Sequence, residues 1–280
     1  MEFFDGAMGS LLIETRLRKK DMGCCGVLNI THSNEVINIH KGYIHAGVNF
    51  ITTNTLLANK FILKNSKFTV KDVISNGLEN AKIAITETKR NCKIAQSISM
   101  GGKYKTLCND YTFQNAYELF KEQVVIGEKY GTDVFLLETF LDIKELDAAI
   151  LACRENSKKP VFATMPFKEN SRTLLDAYSR DLSELANKYA LDAVGVNCCF
   201  GANIIKDAIT DIKKHTKSKI IVQPNRGMPQ VVNGKSIYTV SINDFVDEVK
   251  DICKIGVDYV GGCCGTNPDV IKKTVKKLNM

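Results

Sequence analysis

Short β-branched apolar runs alternate with longer stretches of helical periodicity along the whole chain, and no other feature restricts the fold as much. The runs that read as strands are 3–5, 49–53, 93–98, 133–138, 161–164, 193–198, 220–223 and 259–263. Between them, apolar residues recur at helical spacing over 34–46, 70–88, 115–130, 142–155, 181–189, 202–215, 242–255 and 269–278. Gly47, Gly131 and Gly256 stand between helical stretches and strands, where a left-handed cap is readily adopted. Eight such units close a parallel barrel, so the sequence predicts an α/β fold, a single (β/α)8 TIM barrel spanning 1–280. A doubly wound open sheet is the alternative. No Pro/Ser-rich linker or charge block divides the 280 residues into two domains.

Either architecture gathers functional groups at the carboxyl ends of its strands. Read off in order, those ends carry Asp5, Thr53 and Asn54, Ser99, Glu138, Thr164, Cys198, Asn225, and Cys263-Cys264. Composition narrows what they can act on. The formal charge of +7 is scattered over helical faces and there is no tryptophan, a poor match to a nucleic-acid stripe. No apolar run reaches the ~20 residues of a membrane span, and the first residues do not read as a signal peptide. The expected location is the cytoplasm, with reduced thiols.

Of ten cysteines, six form the adjacent pairs Cys24-Cys25, Cys198-Cys199 and Cys263-Cys264. Neighbouring cysteines rarely bridge each other without strain, so something other than cross-linking is expected to select at least one pair. In a closed barrel, Cys198 at the end of the sixth strand and Cys263-Cys264 at the end of the eighth converge on one rim. Three sulfur donors there suit Zn²⁺. For Cys263 and Cys264 to share one ion the backbone must leave extended geometry between them, and Gly261, Gly262 and Gly265 permit it. Three protein ligands leave a fourth position open. A zinc held by three thiolates is a poor generator of hydroxide, yet it can keep a bound thiol ionised, so the chemistry points to thiolate nucleophilicity and not hydrolysis.

The sequence resembles the homocysteine S-methyltransferase family over nearly its whole length. The matching stretches are Asp5-Gly6-Ala7-Met8-Gly9, Asn29-Ile30-Thr31 through His40 to Ala46-Gly47, Thr53-Asn54-Thr55, Leu137-Glu138-Thr139, Gly195-Val196-Asn197-Cys198, Gln223-Pro224-Asn225 and Gly261-Gly262-Cys263-Cys264-Gly265-Thr266. The resemblance implies a zinc-dependent barrel in which Cys198, Cys263 and Cys264 ligate the metal and homocysteine is activated as a thiolate. It implies an amino-acid pocket built from Asp5, Gly6, Thr53 and Glu138, and Asn225 as a fourth ligand before substrate arrives. Methionine would form from an activated donor, either a small molecule such as S-methylmethionine or S-adenosylmethionine, or methylcobalamin on a separate corrinoid carrier. Betaine is disfavoured, because Leu56-Leu57 follow Thr55 where an aromatic cage would be wanted. The alternatives are methyl transfer to another small thiol or selenol, and a non-catalytic zinc- or thiol-sensing module.

The remaining candidates read as structural. Cys24-Cys25 fit an ordinary loop, Cys199 points away from Cys198, and Cys92, Cys108, Cys153 and Cys253 fit core or surface filling. His32, His40 and His45 fit satisfied structural histidines, since a separation of five takes His40 and His45 off one helical face. His215 fits a solvent-exposed helix end, and Gly101-Gly102 a turn or a carboxylate cradle.

Overall fold

Strands buried on both faces are written as nearly unbroken apolar runs, and this sequence supplies them. In the computed structural model, which describes residues 1–14, 24–101, 111–232 and 235–279, ten strands form. In chain order they are β1 (Glu2–Phe3), β2 (Phe50–Thr52), β3 (Lys93–Ile98), β4 (Val134–Leu137) and β5 (Val161–Met165). There follow β6 (Ala193–Asn197), β7 (Lys219–Gln223), β8 (Pro229–Val232), β9 (Lys235–Tyr238) and β10 (Tyr259–Val260). Eight of them make one parallel sheet in the order β1-β10-β7-β6-β5-β4-β3-β2. A parallel bridge between Phe4 and Phe50, with Asn49 N–H donating to Phe3 O at 2.8 Å, joins the two edges. The expected barrel is formed, and the open-sheet alternative falls.

Alternation along the strands sorts their side chains. Phe4, Phe50, Ala95, Val134, Leu136, Phe162, Ala193, Ile221 and Tyr259 pack together inside the barrel. The Phe4 and Phe50 rings stack at 4.4 Å across the seam, and Tyr259 stands edge-on to both. Two positions further along each strand the inward residue becomes polar: Thr52, Ser97, Glu138, Thr164, Gln223 and, four beyond Ala193, Asn197. The apolar plug therefore ends below a polar floor at the carboxyl end of the barrel. Outward residues such as Ile51, Phe135, Val194 and Val222 pack against the helices.

Helix boundaries follow local chemistry. Val70–Thr88 starts at a capping box in which Thr69 and Asp72 satisfy each other's backbone N–H groups. Phe113–Tyr130 begins the same way with Thr112 and Asn115, and Ala202–His215 keeps its expected bounds. Gly47, Gly131 and Gly256 have φ of 96°, 82° and 83°. The expected eighth strand, 259–263, stops at Val260, because the N–H groups of Gly262 and Cys263 turn to Asp5 O and Pro224 O. Elements absent from the sequence reading are the short helices Gly9–Glu14 and Leu28–Thr31 and the β8–β9 hairpin. Among the described residues no helix is long and apolar enough to cross a membrane.

Candidate metal centre and substrate cavity

At the carboxyl end of the barrel lies a cavity of about 240 Å³, lined by residues that include Asp5, Gly6, Thr53, Glu138, Cys198, Cys263 and Cys264. The sulfur atoms of Cys198, Cys263 and Cys264 all lie within 4.8 Å of one another. Residues 65 and more positions apart in sequence thus meet as the rim convergence required.

Backbone geometry brings them together. Cys198 follows β6 in the left-handed region, φ 54°, with its N–H donating to Gln223 O at 3.2 Å. A non-glycine residue held there costs on the order of 1–3 kcal/mol, so the surroundings must impose it. Thr139, at the end of β4, is held in the same region at φ 61°. Asn197 ties the two strand ends together: its Oδ1 accepts from Thr139 N at 3.1 Å and its Nδ2 donates to Thr139 Oγ1 at 2.7 Å. The 261–266 loop is fixed by Cys263 N donating to Pro224 O at 2.8 Å and by the Thr266 hydroxyl donating to Cys263 O at 2.6 Å. Gly265 turns the chain at φ 81°. The predicted departure from extended backbone between the two cysteines is present.

Three adjacent thiols cannot all ionise without a cation. Hydrogen bonds from Cys198 and Cys263 hold Cys264 down to about 3, well below an ordinary thiol. Cys263 is pushed up by the hydrogen bonds it gives to Cys198 and Cys264 and by burial. Cys198 accepts from Cys263, which favours its thiolate, but the hydrogen bond it gives to Cys264 and its burial outweigh this and leave it at about 11. One negative charge is shared by three sulfurs. A soft divalent cation would relieve that frustration by taking all three as thiolates, which is the test by which the donor set fits zinc.

Asn225, expected as a fourth ligand before substrate arrives, stands against the thiol cluster. Its Oδ1, the atom a metal would need, accepts from Cys264 N at 2.9 Å, and its Nδ2 faces Cys198 Sγ at 3.9 Å. The backbone N–H of Cys264 fixes the amide in this sense, so Asn225 braces two cysteines beside the cluster while its oxygen keeps a second lone pair. Cys199 stays out of the cluster, packed in the core, with its thiol pushed up to about 12 by burial.

The carboxylates face the same cavity. Asp5 accepts from Thr52 N and from Thr52 Oγ1, both at 2.7 Å. Burial outweighs those hydrogen bonds and raises it to about 8, with the charge of Glu138 adding to the rise. Glu138 accepts from Ser97 Oγ at 2.5 Å and from Asn197 Nδ2 at 3.3 Å, and burial lifts it to about 7. Two carboxyls that resist ionisation in the free protein are poised for a cationic guest. The sign of the consequence for stability follows from Asp5. Unfolded, it ionises near 3.8 and folded near 8, so between these values the native state binds the extra proton. Stability therefore falls as pH rises through that window, by up to about 1.4 kcal/mol per pH unit. Thermal melts of the free protein from about pH 5 to pH 8 are expected to show this decline, and Asp5→Asn to flatten it.

Thr53 and Gly6 contribute differently from an ordinary donor pair. Thr55 gives its hydroxyl hydrogen to Ser97 O at 2.7 Å, so the 2.7 Å contact between the two threonine hydroxyls has Thr53 as donor. The Thr53 oxygen already accepts from Ser97 N at 3.2 Å, which leaves it one lone pair for a guest. A Cβ on Gly6 would stand 2.5 Å from both Thr266 O and Thr266 Oγ1, so only glycine lets the 5–7 segment lie this close to the 261–266 loop.

Several other readings are settled by position. Cys24 and Cys25, read as plain loop residues, line the cavity, and Cys24 Sγ accepts from Gly26 N at 3.3 Å. Asn29 holds that loop to the segment after β2 by donating to Asn54 O at 2.9 Å and to helix Val70–Thr88 by donating to Val73 O at 3.0 Å. Gly101 N donates to Glu145 Oε1 at 2.7 Å, so it offers no anion cradle, and Gly102 lies outside the described residues, as does Cys108. His40 is buried with neither ring nitrogen hydrogen-bonded, contrary to the satisfied histidine expected; burial lowers it to about 4. His45 is exposed, and His215 stands 3.7 Å from Asp211 at its helix end. Sequence reasoning missed Ser97, Asn197, Thr52 and Gln223. Their inward position beyond the apolar layer, two residues on or four for Asn197, was the signal available.

Comparison with known proteins adds three findings. The family model described as homocysteine S-methyltransferase matches residues 3–278. The chain is 26% identical over 284 residues to a methionine synthase of Mycobacterium leprae and 27% identical over 286 residues to that of Mycobacterium tuberculosis, covering 96% of this chain in each case. It spans only about a quarter, 24%, of the length of those relatives. Among solved structures, the metallated form of the homocysteine methyltransferase MmuM from Escherichia coli superposes with a TM-score of 0.82 over 99% of this chain and 96% of that one. Its apo form gives 0.77 over 99% and 95%. At 18% identity these likenesses show the barrel fold.

Proposed function

The chain belongs to the homocysteine S-methyltransferase family, and from that premise we propose that it moves a methyl group from an activated donor to the sulfur of homocysteine, giving methionine. The observation that carries the reading is the meeting of three thiols within 4.8 Å on a cavity that also holds two hard-to-ionise carboxyls. Cys198, Cys263 and Cys264 would hold zinc. When bound, zinc supplies the positive centre that keeps a substrate thiol ionised near neutral pH.

The chain's own groups do the rest. Asp5 and Glu138 accept the α-ammonium of the substrate, and its arrival restores both to the carboxylate form. The free lone pair of Thr53 adds a neutral acceptor beside them. Thr52, Ser97 and Asn197 keep the carboxylates in place through hydrogen bonds of 2.5–3.3 Å. Asn225 steadies Cys198 and Cys264. Nothing in this scheme needs a general base, because an ionised sulfur attacks an activated methyl group directly, and the site's contribution is orientation of the two reactants. Thiol chemistry of this kind suits a reducing compartment such as the cytoplasm.

The donor reaches the sulfur from the open mouth, as a small molecule or on a separate carrier protein. Leu56, Phe200 and Met228 are exposed on the loops after β2, β6 and β7, and offer a bulky donor an apolar rim. Leu56 and Leu57 line the cavity, and among the described residues no aromatic ring lines it to cage a quaternary ammonium. The deciding experiment incubates zinc-loaded protein and homocysteine with methylcobalamin, S-methylmethionine, S-adenosylmethionine or betaine in parallel. Methionine is expected from one of the first three. Activity with betaine alone would overturn the donor argument, and an absence of homocysteine binding would remove the reading itself.

A further inference from the structure

Arginine stays charged throughout the range in which proteins work, and its planar fork presents N–H donors in the geometry of a carboxylate or a phosphate. Four of the five described arginines spend those donors within the chain. Arg154, Arg172 and Arg180 pair with Asp192, Asp176 and Glu184, and Arg90 donates to Ile44 O. Arg226 does neither. Its Nε is closed off without an acceptor, whereas its two terminal nitrogens are open, and no acceptor among the described residues takes them. The sequence around it explains why: the three loops at the metal rim, 198–201, 224–241 and 261–267, carry Arg226 and Lys235 but no Asp or Glu. Asp5 and Glu138 owe their shifted ionisation to other neighbours, and Arg226 is not among them.

The fork is nevertheless held in place. Arg226 N donates to Cys264 O at 3.0 Å, and the preceding Asn225 touches both Cys198 and Cys264, so the side chain leaves the backbone beside the metal centre. Its guanidinium stands 5.9 Å from the centre of the Tyr238 ring at the end of β9. That ring lies against the metal loop, since a Cβ on Gly265 would come within 2.5 Å of it. A cation on an aromatic face is attracted to it and loses freedom. The neighbouring surface is apolar. Phe200 follows the Cys199 whose carbonyl accepts from Asn225 N, Met228 lies two residues beyond Arg226, and Ile237 precedes Tyr238; all three are exposed.

An ordered guanidinium with no counter-charge, set among exposed apolar side chains, is suited to a molecule with an apolar body and an anionic group. Position says which reactant that is. The residues assigned to homocysteine line the cavity, and Arg226 does not; it stands outside, where the donor must approach the sulfur. We propose that Arg226 anchors the methyl donor by its carboxylate or phosphodiester, and so selects donors that carry such an anion. The inference rests on methyl transfer to homocysteine, as argued above, and assigns the donor's half of the site. S-methylmethionine and S-adenosylmethionine would offer a carboxylate, methylcobalamin a phosphodiester.

The test compares zinc-loaded Arg226→Met and Arg226→Lys with the wild-type chain, using homocysteine and donors with and without the anion. The sulfonium donors S-methylmethionine and S-adenosylmethionine are set beside trimethylsulfonium, and methylcobalamin beside methylcobinamide, which lacks the phosphodiester. For Arg226→Met, kcat/KM for the anionic donor is expected to fall about tenfold, through KM, as a charge-assisted contact at a partly exposed site is lost. Homocysteine affinity and zinc content should stay within about twofold, and so should kcat/KM for the anion-free donor, because the fork touches none of these. Arg226→Lys keeps the charge without the fork, so its loss should be smaller, about threefold. The donor set that responds shows whether carboxylate or phosphodiester is the anion held. An unchanged kcat/KM for the anionic donor in Arg226→Met, or an equal loss with and without the anion, would overturn the inference and make Arg226 a support for Tyr238 and the metal loop. Wild-type protein that takes a methyl group from none of these donors would overturn the functional reading, and this inference with it, a result seen without either variant.

Discussion

A Cys263→Ala variant is expected to leave dialysis with less than about a tenth of a zinc ion per chain, and to lose methyl transfer to homocysteine by at least about a thousandfold. The reason is the cooperative nature of the site. With three thiolates, zinc has a nearly complete shell of soft ligands at one rim; with two, the remaining positions fall to water, and no other cysteine sulfur among the described residues joins the group. Cys198 and Cys264 cannot compensate by moving, because one is locked at φ 54° and the other has its N–H held by Asn225. Cys199→Ala is the matched control. It removes a buried thiol from the adjacent position in sequence, so some stability is lost to the cavity left behind, but the metal should stay. Metal analysis of both purified variants decides the matter. A Cys263→Ala protein that retains one zinc per chain would mean that the three sulfurs meet for packing alone.

The parts of the molecule that were legible in the sequence are those decided by neighbours along the chain. Helix Val70–Thr88 could be bounded to the residue, since its apolar periodicity lies within one short segment, and the Thr69–Asp72 box found at its start is equally local. The barrel itself followed from repetition. What could not be read is set by partners brought close only by closure. The last strand reads three residues longer in sequence than the Val260 at which it stops, because the acceptors that draw off the N–H groups of Gly262 and Cys263, Asp5 O and Pro224 O, are far away in sequence. Asn225 was singled out by the family position it matches, whereas the Cys264 N–H that orients its oxygen lies 39 positions distant. Gln223 gave only its inward position, two residues past Ile221. That the Arg226 fork has no acceptor is visible only once every possible partner has been placed.

The second large effect concerns Glu138, and it separates an enzyme from a metal-binding module. Glu138→Ala is expected to weaken homocysteine binding by about 100-fold or more, because removing one partner of a buried ion pair typically costs about 3–5 kcal/mol. The loss is large for a stated reason. Ser97 and Asn197 hold the carboxylate in place and help stabilise its charge; without it the Ser97 hydroxyl would lose its acceptor and Asn197 would keep only Thr139. The incoming ammonium would meanwhile surrender water for a site with Asp5 alone as its counter-charge. Glu138→Gln restores the shape and one acceptor but not the charge, so its loss should be intermediate, about tenfold. Calorimetric titration of the zinc-loaded variants with homocysteine measures both. Zinc content must be compared alongside, since the charge of Glu138 is felt at the cysteines and removing it should, if anything, favour their thiolate forms. A module that only held zinc and signalled to a partner would need Cys198, Cys263 and Cys264 but would be indifferent to this carboxylate. Retained zinc with lost homocysteine affinity is the outcome the methyltransferase reading requires, and retained zinc with unchanged homocysteine affinity would end the assignment of this cavity to an amino acid.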